Sequence, residues 1–453
     1  GAGMSEWLDA AELALAAAEA DEAEVVVHAE RSGLARFAAS EIHQPTLVDN
    51  AVVRLRVVRD GRIGSAATNR VTTEGLAELA RRAAEAADSA RPDESFPGLA
   101  PAAELPAVEG YDRETAALTP EELARLARAA LAAGGKLGLY GYATCGVTAL
   151  AVASTNGHRA EQVATDATVL VLAADDGASG YAEATSWRVG QLDPATVARE
   201  AVEKARRTRA PAELEPAPYR AVLEPYAVAE LLDYFAFDAF NGLGLLEERS
   251  YAAGRIGERV FDEKVTIVDD PLDPRGLPRA LDFEGTPAGR VPLVEGGVLR
   301  GAVWDRAAAR AGRESTGHAL PPEYRMYGAI PASLRLEPGD ATSEQLAESV
   351  GDGIHVTRLH YLGVVDPREG VVTGMTRDGT FRIRDGRVAE PLPNLRFTVA
   401  VPEVLADVPA LGRDLALVNR SDFYGERTPR AALVPALATA RFNVTGIGGG
   451  PGL

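Results

Sequence analysis

Residues 281–322 read LDFEGTPAGRVPLVEGGVLRGAVWDRAAARAGRESTGHALPP, and this stretch decides what kind of fold the chain adopts. It runs from Asp282, Glu284 and Gly285 into a strand broken by Pro292, a Gly296-Gly297 turn, a second strand and the polar run Ser315-Thr316-Gly317-His318. A packed helical core needs no such density of polar and turn-forming residues, whereas closely spaced short strands do. Working outward, strands are predicted at 265–269, 290–294, 298–303, 333–337, 353–362, 371–377, 380–384 and 387–390. Asp378-Gly379 and Asp385-Gly386 are read as hairpin turns, and one helix over 226–241 leads in. The pattern implies a curled, barrel-like β domain over 219–453.

The N-terminal half, 4–212, reads as one unit used twice, 4–90 and 119–208. The first copy has a helix at 7–20, strands at 24–30, 34–40 and 52–59, a return strand at 62–68 after Asp60-Gly61, and a helix from Thr72 or Thr73 to Ala90. Val53, Leu55 and Val57 share one face of their strand, Arg54 and Arg56 the other. In the second copy Thr119-Pro120-Glu121-Glu122 starts a helix, with proline in the first turn and acids at the positive dipole end. Strands follow at 137–143, 148–155, 159–173 and, after Asp176-Gly177, 179–187, before the helix opened by Asp193-Pro194. Each copy is therefore expected as α-β-β-β-β-α, and the fold class as α+β: a duplicated N-terminal domain, a Pro-rich linker at 211–218, and a β-rich C-terminal domain.

At 453 residues with 46% apolar content the chain can bury more than one core. A net charge of −19 disfavours nucleic acid and anionic membranes, since phosphate neutralisation needs clustered Lys and Arg. The single cysteine, Cys145, excludes an internal disulfide, suits a cytoplasmic protein and reads as a small buried filler. No apolar run reaches the ~20 residues that span a bilayer. Gly1-Ala2-Gly3 before Met4 is read as an appendage, and the Gly-rich tail 448–452 as a loop. Nucleophile-elbow, phosphate-loop and dinucleotide motifs are lacking. Asp269, Asp270, Asp273, Asp282 and Glu284 form an acidic series with two readings, a hard-cation site and turn-forming residues.

Several motifs together resemble the TldD/PmbA family. They include Asp60-Gly61-Arg62-Ile63-Gly64-Ser65-Ala66, Arg249-Ser250-Tyr251, Asp282-Phe283-Glu284-Gly285-Thr286-Pro287, Ser315-Thr316-Gly317-His318-Ala319, Leu336-Glu337-Pro338-Gly339 and Val372-Thr373-Gly374-Met375. The resemblance implies an α+β domain beside a β-rich one, and two branches. In the peptidase branch a helix carries His-Glu-x-x-x-His, which with a later cysteine holds zinc, the glutamate serving as general base. Here the corresponding helix reads Ala229-Glu230-Leu231-Leu232-Asp233-Tyr234, so only Glu230 matches. No histidine lies between His158 and His318, and His355 and His360, five apart on a strand, should face opposite sides.

The chain is thus similar to the metal-free PmbA/TldE-like branch. That implies no catalytic residue and no metal in this chain, zinc in a TldD-like partner subunit, and a heterodimer, with a homodimer as the alternative. The implied substrates are unfolded peptides, peptide natural-product precursors or small amide metabolites. Asp282, Glu284, Thr286, Ser315, Thr316 and His318 are the candidates for lining the substrate cavity; the competing reading is that they build turns. Two other functions stay open: a stand-alone metal-independent hydrolase, and a protein-binding regulatory module matching the family's label as a modulator of DNA gyrase.

Overall fold

Local capping sets the helix boundaries of the N-terminal half. A computed structural model of the protein describes residues 4–309, 312–423 and 425–448; the leading Gly1-Ala2-Gly3 and the tail beyond Gly448 lie outside the described residues. The first copy consists of α1 (Met4–Ala16), β1 (Glu22–Ala38), β2 (Glu41–Arg59), β3 (Arg62–Thr68) and α2 (Thr73–Ser89). After a short α3 (Arg113–Ala116), the second consists of α4 (Pro120–Ala133), β4 (Gly138–Ser154), β5 (Arg159–Asp175), β6 (Ala178–Ser186) and α5 (Pro194–Arg207). Thr72 caps α2 by accepting from the Gly75 amide, and Thr119 with Glu122 completes a reciprocal capping box on α4.

Each copy is α-β-β-β-α, one strand fewer than expected. The segments read as 24–30 and 34–40 are the single strand β1, and those at 137–143 and 148–155 are the single strand β4. Gly33 and Gly146 lie in the gaps between those expected strands, and neither turns the chain. Gly33 lies opposite Cys145 in the β1–β4 ladder, and a Cβ on Gly33 would sit 3.0 Å from Leu123. A Cβ on Gly146 would sit 2.4 Å from the Arg427 Nε. Both glycines clear space for another element's side chain, which is how an in-strand glycine often functions.

The six strands run β3-β2-β1-β4-β5-β6, all antiparallel, with β1 and β4 joining the copies. Alternation assigns the two faces. Ala23, Val25, Val27, Val53, Leu55 and Val57 pack with α1 and α2, while Ala35, Phe37, Ala167, Val169 and Val171 pack with α4 and α5. The opposite face presents Glu24, His28, Glu30, Arg54 and Asp166, all buried against the C-terminal domain.

That domain comprises β7 (Pro218–Leu223), α6 (Pro225–Ala239), α7 (Gly242–Leu246), β8 (Ile267–Asp269), β9 (Val291–Glu295), β10 (Val298–Leu299), α8 (Arg306–Ala309), a 3-10 helix (Pro322–Tyr327) and β11 (Leu334–Leu336). It continues through α9 (Ser343–Val350), β12 (Gly353–Asp366), β13 (Val371–Arg384), β14 (Arg387–Pro391), β15 (Leu395–Ala400), α10 (Val401–Ala406), β16 (Leu411–Asn419) and β17 (Ala431–Ile447). The eleven strands form one sheet, and β7 pairs both with β12 and with β17. The path β17-β15-β13-β12-β7 therefore closes into a ring, which removes those sheet edges. The helix α6 packs against this ring, its Leu231, Leu232 and Phe235 entering the main core of the domain.

Three expectations change here. Asp378-Gly379 is not a hairpin: β13 continues through it, and two residues oppose Thr357 alone in β12, a bulge in which Asp378 and Gly379 take φ of 55° and 130°. Asp385-Gly386 does turn, between β13 and β14. The strand expected at 298–303 shortens to Val298–Leu299, and β7, β15, β16 and β17 were not anticipated. The long β17 is masked in sequence by its alanines and by Pro435, which sits opposite Leu415 beside a register shift in β16. Among the described residues no helix is long and apolar enough to cross a membrane.

Candidate functional site

The degenerate motif lies on α6. Ala229 is fully buried in the domain core. Glu230 is paired with Arg420, and Asp233 accepts from Arg420 Nε at 3.2 Å and from Arg430 Nη2 at 2.6 Å. Burial pushes the Tyr234 phenol up, further from an anionic ligand. Zinc needs three or four nitrogen, sulfur or oxygen donors converging with an open position. This helix supplies a methyl group, a phenol and carboxylates already bound to guanidinium groups, so the residues present do not fit zinc. Among the described residues no group of three or more His, Cys, Asp and Glu converges as a metal site elsewhere. Close by, Glu183 on β6 accepts from the Asn419 amide at 3.1 Å, and burial raises its carboxyl to about 7.

The candidates at 282–318 divide. Asp282 Oδ1 accepts from the amides of Glu284 and Thr286, each at 2.9 Å, and its Oδ2 from the Ala319 amide at 2.8 Å. It is a turn-forming aspartate that also anchors the segment after His318; burial, with Glu284 as a neighbour, raises its carboxyl to about 7. Glu284 accepts from the Arg306 amide at 3.1 Å. Gly285, at φ 76°, brings its carbonyl 2.7 Å from His158 Nε2, and a Cβ there would strike His158 and Val152, so this turn docks the two domains together. The Thr286 hydroxyl is buried without a partner. Ser315 and Thr316 bond the Trp304 backbone.

Of the six candidates, His318 lines a cavity between the domains. Its Nε2 lies 2.6 Å from Asp269 Oδ2, with Nδ1 2.9 Å from the Thr316 hydroxyl. Burial lowers the His318 imidazole, against the pull of the Asp269 carboxylate. Burial alone would raise Asp269, but His318, Arg279 and the Ser333 amide outweigh it and hold the carboxylate ionised. The cavity, about 130 Å³, lies between the domains and is lined also by His28, Phe283, Arg279, Thr428 and Arg430.

The acidic series does not assemble around a cation. Asp269 is taken by His318, Asp270 and Asp273 by Arg335, and Asp282 by backbone amides. The histidines are also dispersed: His28 meets Glu426 at 2.7 Å, His355 lies 3.5 Å from Glu224, and His360 stacks near Tyr361. Cys145 is buried and its thiol is pushed up to about 11, first by burial.

What sequence reasoning missed is the segment joining β16 to β17. Arg427 reaches through the space left by Gly146 to Asp166, at 2.9 and 2.6 Å, both side chains buried. Glu426 holds His28 and Arg54, and those two partners pull its carboxyl down to about 2 despite its burial. Arg420 and Arg430 flank this segment and close over α6. The only advance signal was the density of charge between two apolar stretches, which a solvated loop would show equally.

Comparison with known proteins agrees with this architecture. Residues 216–446 match the PmbA/TldA metallopeptidase C-terminal domain, residues 23–87 its domain 1 and residues 113–209 its central domain. A protein named metalloprotease from Methanothermobacter thermautotrophicus is 32% identical over 179 residues, 38% of this chain and 38% of that protein. A metalloprotease TldD homolog from Buchnera aphidicola is 28% identical over 169 residues, 36% of this chain and 34% of the relative. The chain thus aligns with little more than a third of these relatives' length. TldE from Thermococcus kodakarensis superposes with a TM-score of 0.85 at 21% identity, covering 97% of this chain and 99% of that one. A protein from Thermotoga maritima described as a modulator of a DNA gyrase gives 0.81 at 19% identity, covering 94% and 96%. At such identities these two likenesses concern the fold.

Proposed function

Because the chain belongs to the PmbA/TldD metallopeptidase family, we propose that it is the metal-free subunit of a two-subunit metallopeptidase. Its partner is a relative that carries the intact His-Glu-x-x-x-His helix and the zinc. The observation that supports this most directly is α6: Ala229 is closed into the core, and Glu230 and Asp233 are neutralised by Arg420 and Arg430. A helix so occupied is stable without metal and offers no position for one. This chain then contributes a wall. An extended substrate is gripped by main-chain hydrogen bonds to strands and by pockets for alternate side chains, a task that needs protein surface on both sides but metal on one. The substrate class is an unfolded peptide, a peptide precursor or a small amide, held near the interdomain cavity that His318 lines.

The test is to purify this chain alone, the zinc-bearing relative alone and the two together, with metal analysis and peptide turnover on each. The expected result is zinc in the relative only and turnover in the pair, abolished by chelation. Stoichiometric zinc in this chain alone with amide cleavage would overturn the reading, as would chelator-resistant hydrolysis by the chain by itself. His318→Ala in the pair is expected to weaken substrate affinity; unchanged turnover and affinity would remove His318 from the cavity's role.

A further inference from the structure

A second pocket, of about 340 Å³, opens between the polar face of the N-terminal sheet and the 3-10 helix at Pro322–Tyr327. Three guanidinium groups line it, and their states differ. Arg54 is fully engaged, with Glu426 at 2.5 and 3.2 Å and Glu323 at 2.7 Å. Arg56 gives one Nη to Glu24 at 3.0 Å and lies over the Phe96 ring at 5.2 Å, leaving its Nε buried without a partner. Arg325 forms no salt bridge or side-chain hydrogen bond among the described residues, and its Nε is likewise buried and unpartnered. Burial, and then the charge of Arg56, lower the Arg325 guanidinium, and the neighbouring Glu284, Glu24 and Asp282 offset this only in part.

Arg325 is half-buried and its guanidinium has no acceptor among the described residues, and a planar carboxylate matches such a fork of donors. The rest of the pocket narrows the choice. Val26, Ala66, Ala67 and Pro322 give an apolar wall suited to a small side chain. Glu24 and Glu323 stand on the same rim and repel a second negative charge, so a monoanion fits better than a phosphate dianion.

We propose that this pocket binds the terminal carboxylate of a short peptide or acyl amino acid, with Arg325 and Arg56 as the receiving pair and the small apolar wall beside the last side chain. The site is independent of the subunit assignment above, since its residues all belong to this chain and its test involves no turnover.

The experiment is calorimetric titration of the purified chain with N-acetyl-alanyl-alanine, with the same dipeptide as its C-terminal amide, and with inorganic phosphate. The acid is expected to bind at least tenfold more tightly than the amide, and phosphate more weakly than the acid. Arg325→Ala should lose tenfold or more in affinity for the acid with an unfolding midpoint no lower than that of the unaltered chain. Should that variant fail to fold, Glu24→Gln leaves both arginines in place and is expected to tighten acid binding about threefold by freeing Arg56. Equal binding of acid and amide, no binding of the acid at 10 mM (roughly the weak limit for a single ion-paired contact), phosphate binding alone, wild-type affinity in Arg325→Ala, or weakened binding in Glu24→Gln would each overturn the proposal.

Discussion

The two faces of the six-stranded sheet are built from alternate residues of the same strands and are held by different physics. On the helix side, Val25, Leu55, Val169 and their neighbours meet apolar side chains of the N-terminal domain's own strands and helices, and burial of hydrocarbon surface stabilises them without directional demands. On the other side, Glu24, His28, Arg54, Asp166 and Glu183 are buried charges or polar groups. Glu24 is met by Arg56 from the neighbouring strand, whereas His28 and Asp166 find partners 398 and 261 residues away. The comparison teaches that the first face makes the domain fold while the second decides how the C-terminal domain seats upon it. A buried ion pair adds little net stability over an apolar substitute, yet removing one member is costly, because the other is left desolvated.

The largest effect that could break this comparison is at Arg427. Arg427→Ala strands Asp166, which is 1% exposed, and is expected to cost about 3–5 kcal/mol in urea unfolding. A loss below that of an ordinary surface change would mean the charged face is merely tolerated. Gly146→Val should reproduce most of the loss, since its Cβ displaces the guanidinium, and the double variant should fall well short of additive. Leu55→Ala, on the helix face, is expected to cost about 3 kcal/mol by cavity formation. Its cost should change little with pH.

The pH dependence sharpens the contrast. Glu183 has a folded value of about 7 against an ordinary 4.5, so the folded protein holds that proton more tightly than the unfolded chain does. Its contribution is fully present below about pH 4.5 and is lost as pH rises through 7. Glu183→Gln should therefore flatten the stability profile across that window by about 3 kcal/mol. Glu426, drawn down to about 2, acts with the opposite sign: its contribution is present above about pH 4.5 and disappears as pH falls toward 2. Unfolding midpoints at pH 3, 5 and 8 for the chain and both glutamine variants separate the two, and matching slopes would refute the assignment.

Smaller effects follow. Arg420→Gln weakens the grip on Glu230 and Asp233 while Arg430 remains on Asp233, and a loss of about 1.5 kcal/mol is expected. If that variant instead acquires stoichiometric zinc, the carboxylates of α6 were being withheld from metal by charge alone. Cys145 should resist thiol reagents in the native protein, its thiol being buried and pushed up to about 11, and react once the chain is unfolded.

Much of the fold was legible because its rules are local. Thr72, Thr119 and Asp193 cap helices by contacts within a few residues, and Asp60-Gly61, Asp176-Gly177 and Asp385-Gly386 turn the chain by their own backbone preferences. The same reasoning failed at Asp378-Gly379, and the strand breaks expected around Gly33 and Gly146 do not occur. There the glycine answers a neighbour from another element, not a turn, and nothing in the flanking residues distinguishes the two uses. Of the candidate site, Ala229, Glu230 and Tyr234 were legible only through the resemblance to the family's His-Glu-x-x-x-His helix. The engagement of Asp282 by three backbone amides and of Asp269 by His318 was not visible.

By itself, then, the sequence determined the duplicated α+β half and the turn-dense β half, since each follows from side-chain type at short spacing. Only the tertiary structure decided the closure of the strand ring by β7 and β17, the insertion of Glu426 and Arg427 into the sheet's polar face, and the isolation of Arg325 in a pocket. The reason is physical: a charge removed from water must find its counterpart wherever the folded chain brings one, and that distance is not written in the neighbouring residues.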